Sequence, residues 1–96
     1  MKGGWVYILA NRYHGTLYVG VTSGIAVRSW QHQRGEGADF TRRYGVKRLV
    51  YVEEYPTILE AIAREKALKK WRREWKIELI EKANPDWDNL FERLNG

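Results

Sequence analysis

The sequence lacks cysteine altogether, which excludes a disulfide-stabilised scaffold and any zinc site built on thiolates. It also lacks a long apolar run, because the stretch from Trp5 to Leu9 is too short for a signal-peptide core or a membrane span. We therefore expect a cytoplasmic protein with no membrane association. No internal repeat, linker or low-complexity segment interrupts the chain, so we expect one domain over residues 1–96.

What the chain does contain favours a folded, basic protein. Hydrophobic residues make up 44% of the sequence and aromatic residues 14%, a composition typical of a globular domain. The net charge is +5, and the isoelectric point is near 9.6. A positive balance favours a polyanionic partner, with nucleic acid first and an anionic membrane surface second.

The segment Leu17 to His32 is the one around which the rest of the chain is organised. A strand from Leu17 passes through a turn at Thr22 to Gly24 into a helix from Ile25 to Arg34. Arg28 and His32 are four residues apart and so lie on one face of this helix. The apolar side chains lie on the other side: Val27 and Trp30. The pattern predicts either a phosphate-binding cluster or an ordinary solvated face.

The apolar run from Trp5 to Leu9 predicts a buried strand that a hairpin loop, Ala10 to Thr16, joins to the strand at Leu17. If the pairing is centred on that loop, Tyr7 lies opposite Tyr18, and both phenols project from one face. The alternative is that the two rings only pack against each other.

The middle of the chain predicts a loop followed by a third strand. The segment from Gln33 to Val46 has three glycines and mixed charge, which is typical of a mobile loop. Its arginines, Arg42 and Arg43, either follow a phosphate backbone or are solvated. Arg48 to Tyr55 alternates as a strand does, and Pro56 ends it.

A capping box at Thr57 to Glu60 predicts a helix that continues to Ala83. Glu65 lies within its apolar stripe, where a carboxylate is costly unless it binds a metal or pairs with an arginine. The apolar stripe consists of Ile58, Ala61, Ile62 and Leu68. A dense basic run on the same helix either contacts phosphates or is solvated: Lys66, Lys69, Lys70, Arg72 and Arg73.

The C-terminal third is rich in tryptophan. Trp71 and Trp75 are four residues apart on one side of the predicted helix, where they serve as core or dimer contacts. Asn84 and Pro85 stop the helix. A short amphipathic tail then packs back on the domain through Trp87, Leu90, Phe91 and Leu94.

Together these pieces resemble the GIY-YIG nuclease superfamily along nearly the whole chain. The resemblance lies in Val6-Tyr7-Ile8, then Tyr18-Val19-Gly20, followed by Arg28, His32 and Glu65 at ordered spacings. The sequence departs from the family at Trp5, where the family has a glycine, and at Val19, where it has an isoleucine. Asn84 is the counterpart of an asparagine that the family carries after the helix with the glutamate.

The resemblance implies an α/β (α+β) fold: a small mixed or antiparallel three-stranded sheet flanked by helices. It also implies that Glu65 holds one divalent cation, Mg²⁺ or another such as Mn²⁺. Arg28 then neutralises charge on the phosphorane, while Tyr7 positions or deprotonates the attacking water with His32 as its relay. A free phenol has a pKa of about 10, so this role requires Arg28 or the metal to lower the pKa of Tyr7. Tyr18 supports the site or binds phosphate.

The function implied is a metal-dependent DNA endonuclease that is structure-selective and linked to repair or recombination. The expected substrate contacts are Gly20, Arg42, Arg43, Lys69, Lys70, Arg73 and Asn84. No appended DNA-binding domain is evident, so we expect backbone contacts with little sequence specificity. Two alternatives remain open: a non-catalytic nucleic-acid-binding domain with the same fold, and a structural module, homodimeric or bound to a partner protein, that uses Trp71, Trp75 and Trp87.

Overall fold

The computed structural model describes residues 3–35 and 39–95, and it confirms the mixed α/β class. A three-stranded sheet has the order β2-β1-β3, and both pairings are antiparallel. The strands are β1 (Gly4–Ala10), β2 (Leu17–Thr22) and β3 (Arg48–Tyr55). The helices are α1 (Ile25–Gln33), α2 (Asp39–Tyr44), α3 (Ile58–Lys70), α4 (Arg73–Ala83) and α5 (Phe91–Asn95). None of the helices in these two ranges is long and apolar enough to span a membrane.

The register of the hairpin differs from the predicted one by two residues. Tyr7 lies opposite Gly20, and Tyr18 lies opposite Leu9, so the expected direct Tyr7–Tyr18 pair is wrong. Asn11 shapes the loop, since its side-chain oxygen accepts a hydrogen bond from the Thr16 amide at 2.9 Å. A shift of two residues leaves every side chain on its original face, and both phenols therefore still share one side of the sheet.

The third strand has the predicted limits, and the helix after it begins where predicted. Pro56 follows β3, and Thr57 caps α3 by accepting a hydrogen bond from the Glu60 amide at 3.2 Å. Ile8 of β1 pairs with Tyr51, and Leu9 pairs with Leu49, so β3 has one extra residue at this point. The alternation of β3 did not predict this bulge.

One carboxylate holds α3 against β3. Glu53 accepts two hydrogen bonds from the Arg64 guanidinium, at 2.9 and 3.0 Å, and further ones from the hydroxyls of Tyr51 and Tyr55. Burial, the largest influence, raises the pKa of Glu53, but the hydrogen bonds from Arg64 and the two tyrosines outweigh it and lower that pKa. Arg64 also stacks on the Trp71 ring, with its guanidinium carbon 5.0 Å from the ring centre.

The helix predicted to run from Thr57 to Ala83 is interrupted. Trp71 and Arg72 are extended, with ψ of 150° at both residues, so the single-helix prediction is wrong. One straight helix would place Leu68 and Ile80 about 18 Å apart along its axis. The break lets both residues join one buried cluster, and this burial overrides a local sequence that favours helix throughout.

The segment from Gln33 to Val46, predicted to be a loop, contains the short helix α2. Its residues 36–38 lie outside the described ranges. Gly45, in the left-handed region with φ of 62°, follows α2 and ends it. Arg42 and Arg43 are therefore exposed positions on a helix.

The core lies on both faces of the sheet. Val6 and Ile8 of β1 pack against α3 and α4, while Tyr7 and Leu9 face Ile25 of α1. Trp87 is fully buried in the first cluster, so it is a core residue and unavailable as a dimer contact.

Candidate active site

Two tyrosines on one face of the sheet form the base of the candidate site. Tyr7 on β1 and Tyr18 on β2 have ring centres 6.5 Å apart. Trp5 lies on the same face of β1 and packs against the same buried cluster as Tyr7. The bulk that replaces a glycine at this position therefore adds to the apolar surroundings of the tyrosines.

Gly20 makes room for the Tyr7 ring. A Cβ atom at this position would lie 2.4 Å from both Cζ and Oη of Tyr7, which is far inside van der Waals contact. Any larger residue would displace the phenol. Gly20 thus acts on the position of Tyr7 through steric fit.

Helix α1 turns its polar face inward. Ile25, Ser29 and His32 are its buried residues, whereas Val27 and Trp30 are 62% and 48% exposed. The hydroxyl of Tyr7 and Nε2 of His32 are hydrogen bonded at 3.2 Å. The His32 ring also lies 6.1 Å from the Tyr18 ring. Helix α1 thus buries two polar side chains, Ser29 and His32, beside Ile25 and exposes two apolar ones.

The surroundings shift the pKa values of Tyr7 and His32, the hydrogen-bonded pair, in opposite directions. Burial, more than the neighbouring Tyr18 and Glu65, raises the pKa of Tyr7, and the opposing effect of Arg28 is smaller. The expected lowering by Arg28 is therefore present but outweighed. Burial and then Arg28 lower the pKa of His32. At neutral pH the phenol keeps its proton, and the imidazole is neutral and able to accept one.

Arg28 and Glu65 both act on Tyr7 from different elements. Arg28 is exposed on α1, and its charge influences both Tyr7 and His32. Glu65 lies on α3, and its carboxylate contributes to the raised pKa of Tyr7. Tyr7 is thus the common neighbour, because Tyr18, Arg28 and Glu65 all influence its pKa and His32 is hydrogen bonded to it.

The Glu65 carboxylate is mostly buried, with 13% of its side chain exposed. Its ion-pair partner is Lys69, 3.0 Å away and 53% exposed, rather than the arginine that the structural alternative required. No group of three or more metal-binding side chains occurs within residues 3–35 and 39–95. One hard carboxylate suits Mg²⁺ or Mn²⁺, which keep several waters and take further oxygen ligands from the substrate phosphate.

The basic residues expected to bind substrate are distributed unevenly. Arg42, Arg43, Lys69 and Lys70 are all exposed, and Lys69 also pairs with Glu65. Arg73 donates hydrogen bonds to the carbonyls of His14 and Gly15, at 2.6 and 2.8 Å, which ties the β1–β2 loop to α4. Arg73 thus has a structural role that its place in a basic run did not indicate.

Asn84 is almost fully buried at the C-terminal end of α4. Its amide group donates to the Val50 and Asp88 carbonyls, at 3.0 and 2.9 Å, and its oxygen accepts from the Asp88 amide at 3.1 Å. These bonds are all to the protein's own backbone. The structure therefore gives Asn84 a helix-ending role in place of an evident substrate contact.

Sequence analysis missed a row of aromatic rings beside the site. Tyr18 stacks on Phe40 with 5.9 Å between the ring centres, and the ring centres of Phe40 and Tyr44 are 4.8 Å apart. Phe40 and Tyr44 are 42% and 50% exposed. Phe40 and Tyr44 were not predicted to lie together because this segment was predicted to be a loop. In a loop, residues four apart need not share a face, as they do in a helix. We call Tyr18, Phe40 and Tyr44 the aromatic row.

A separate groove of about 760 Å³ lies along α4 and includes Trp71, Trp75 and Glu78 in its lining, but none of the five clustered residues. The two tryptophan rings meet edge to face at 6.2 Å across the helix break. Arg72 stacks on the Trp75 ring at 5.4 Å.

Comparison with known proteins identifies the family to which this chain is similar. Residues 3–78 match the family described as the GIY-YIG catalytic domain. UPF0213 proteins of Staphylococcus aureus strains Mu3 and N315 are each 38% identical over 80 residues, covering 83% of this chain and 96% of theirs. The solution NMR structure of a UPF0213 protein from Bacillus halodurans is similar, with 32% identity and a TM-score of 0.56 over 91% of this chain and 92% of that one.

Proposed function

Since the chain belongs to the GIY-YIG nuclease family, we propose that it is a divalent-metal-dependent endonuclease that hydrolyses phosphodiester bonds in DNA. The active-site residues in this proposal are Tyr7, Tyr18, Arg28, His32 and Glu65. The observation that carries it is the buried hydrogen bond between Tyr7 and His32, with the charge of Arg28 acting on both groups.

The hydrogen bond gives a path for the proton of the attacking water. As water oxygen bonds to phosphorus, its proton passes to Tyr7 Oη while the Tyr7 proton passes to His32 Nε2. The phenol is thus neutral before and after the step, and His32 becomes an imidazolium. The bond from phosphorus to the leaving sugar oxygen then breaks, that oxygen takes a proton from solvent water, and His32 returns its proton to solvent. Positioned proton transfer of this kind contributes about 10²- to 10⁴-fold in rate.

Two further groups act on the phosphate. Arg28 carries a permanent positive charge next to the pair and stabilises the negative charge that develops on the phosphorane oxygens. The Tyr18 hydroxyl donates to a phosphate oxygen and holds it in place. Glu65 would hold the divalent cation, which neutralises charge on the phosphate and polarises it.

The aromatic row supports a preference for DNA with unpaired bases, such as the nicked, flapped or branched DNA that arises in repair and recombination. Exposed rings stack on bases only where the bases are unpaired, and each such contact is worth about 1–3 kcal/mol. Arg42 and Arg43 lie on the same short helix as Phe40 and Tyr44, where they can contact the phosphates of the same strand.

The test is cleavage of a panel of nicked, flapped and branched DNA by wild type and by Glu65→Gln, with and without Mg²⁺ or Mn²⁺. The cation supplies several kcal/mol of transition-state stabilisation, so we expect cleavage to fall about 100-fold or more. DNA binding should persist and weaken with salt. Because Lys69 is more than half exposed, losing the ion pair should change stability by less than about 1 kcal/mol.

Lys69→Gln is the matched control, since it removes the same ion pair and keeps the carboxylate. We expect this variant to retain cleavage that depends on Mg²⁺ or Mn²⁺, and any lost phosphate contact of Lys69 to appear as weaker DNA binding. If Glu65→Gln cleaves as fast as wild type with the same metal dependence, Glu65 is not the metal ligand. If wild type binds every substrate of the panel and cleaves none with either metal, the non-catalytic binding domain is the correct alternative.

A further inference from the structure

Two buried polar atoms of α1 lack a hydrogen-bond partner. They are Ser29 Oγ and His32 Nδ1, the buried side-chain atoms without a partner within residues 3–35 and 39–95. Ser29 and His32 are 1% and 2% exposed. A buried polar group that stays unpaired costs about 1–3 kcal/mol, and native proteins keep few of them.

The two atoms are neighbours through the geometry of the helix. Residues three apart on an α-helix have Cβ atoms about 5–6 Å from each other. In an imidazole ring, Nδ1 is next to the carbon that carries Cβ, whereas Nε2 is at the far end, where His32 meets Tyr7. Ser29 Oγ can therefore reach Nδ1 directly after a rotation about its Cα–Cβ bond, or through one bridging water.

Their chemistry is complementary. A serine hydroxyl has lone pairs that accept a hydrogen bond, and it can turn its own proton toward the carbonyl four residues earlier in the helix. A neutral imidazole has one nitrogen that donates and one that accepts. The acceptor that Ser29 offers at Nδ1 decides which nitrogen of His32 carries the proton, because the partner of one ring nitrogen fixes the state of the other.

We propose that Ser29 is a positioning residue whose Oγ accepts a hydrogen bond from His32 Nδ1–H, directly or through one bound water, and so keeps His32 Nε2 free to accept the Tyr7 proton. This inference rests on the proposed function for its catalytic consequence. Without Ser29, the ring proton can move to Nε2, which then donates to Tyr7 and blocks the transfer. The same logic governs the carboxylate that orients a catalytic histidine in a serine protease.

The experiment reads the histidine tautomer directly. The chain has two histidines, His14 and His32, so a His14→Gln background leaves one imidazole signal. With ¹⁵N-labelled protein, long-range ¹H–¹⁵N correlation spectra distinguish Nδ1–H from Nε2–H without substrate or metal. At neutral pH, where the lowered pKa of His32 keeps the ring uncharged, we expect mainly Nδ1–H.

Ser29→Ala removes the acceptor and keeps a good helix former. We expect the ring to shift mainly to Nε2–H and kcat to fall about 10- to 100-fold with KM little changed, the range typical of losing a group that orients a functional histidine. Ser29→Thr restores a hydroxyl and should return both readouts toward wild type. If its extra methyl prevents folding, Ser29→Cys, which keeps the volume but is a weak acceptor, should behave as Ser29→Ala does.

Two results would overturn the inference: Nε2–H as the main tautomer in wild type, or the same tautomer mixture in wild type and Ser29→Ala. Because the spectra need neither DNA nor metal, they are independent of the proposed function. A wild type that cleaves no DNA, but whose tautomer shifts in Ser29→Ala, rejects the nuclease function and keeps the role of Ser29. If wild type cleaves DNA but the tautomer does not shift in Ser29→Ala, the role of Ser29 is rejected and the nuclease function is kept.

Discussion

Gly20→Ala should disable the site by steric displacement of one ring. The new Cβ would lie 2.4 Å from Tyr7 Oη, and Tyr7 is buried, so the phenol must move away from its hydrogen bond with His32. Overpacking of this kind costs about 1–3 kcal/mol. Alanine also reduces the conformational freedom of the unfolded chain, which offsets about 0.4–1 kcal/mol of this loss of stability.

The net loss of stability should be about 1–2 kcal/mol, which lowers the melting temperature by roughly 10 °C in a chain of this size. Cleavage should fall by more than the loss of folded protein explains when it is measured at 10–20 °C. The assay combines thermal unfolding with initial rates on the best substrate of the DNA panel. If Gly20→Ala cleaves as wild type does, the position of the Tyr7 ring over Gly20 does not matter for function.

Two other glycines supply controls. Gly24 has nothing within 4 Å of an added Cβ and a φ of −136°, so Gly24→Ala should change stability by less than about 1 kcal/mol and leave cleavage intact. At Gly4 an added Cβ would lie 2.7 Å from the Ala61 Cβ, on the face opposite Tyr7. Gly4→Ala should therefore destabilise the protein as Gly20→Ala does while leaving cleavage at low temperature intact.

Two further predictions concern stability. Asn84→Ala leaves the buried Val50 carbonyl and the part-buried Asp88 carbonyl without this donor. The unpaired buried carbonyl should cost about 1–3 kcal/mol in urea unfolding, and lost cleavage at unchanged stability would instead make Asn84 a substrate contact. The lowered pKa of Glu53 stabilises the fold above the unfolded-state value of about 4.3, so stability should decline as the pH falls through the folded pKa. Glu53→Gln should flatten that decline, whereas the same change at the exposed neighbour Glu54 should not.

Features that depend on neighbouring residues could be predicted from the sequence, whereas features that depend on contacts between distant residues could not. The limits of β3 and the cap of α3 were predictable because alternation, Pro56 and the Thr57 hydroxyl act within a few residues. The break at Trp71 was not, because no glycine or proline marks it and distant apolar contacts produce it. The predicted hairpin register differed from the observed one by two residues. The face that carries Tyr7 was nevertheless predicted correctly, since side chains on a strand alternate with a period of two residues.

The site itself was partly visible in the sequence. Arg28 and His32 were grouped by their four-residue spacing, and Tyr7 was added through the hairpin pairing and the resemblance to the GIY-YIG superfamily. In the structure Tyr7 and His32 are hydrogen bonded, and the charge of Arg28 acts on both. Ser29 was overlooked because a serine on a helix normally faces solvent, although its position three residues before His32 was a usable signal. The hydrogen-bonding of Asn84 depends on Val50, which is distant in sequence, and no local pattern could indicate it.

The inward polar face of α1 has a consequence for local unfolding. Apolar burial is the main force that holds a helix on a sheet, and α1 contributes one buried apolar side chain, Ile25. Opening this helix uncovers Tyr7 and Leu9, which face Ile25, but it leaves the cluster on the opposite face of the sheet covered. Its free energy should therefore lie below that of global unfolding, which must expose both faces of β1 at the centre of the sheet. The helix that carries Arg28, Ser29 and His32 can thus move off the sheet and return while the strands stay paired.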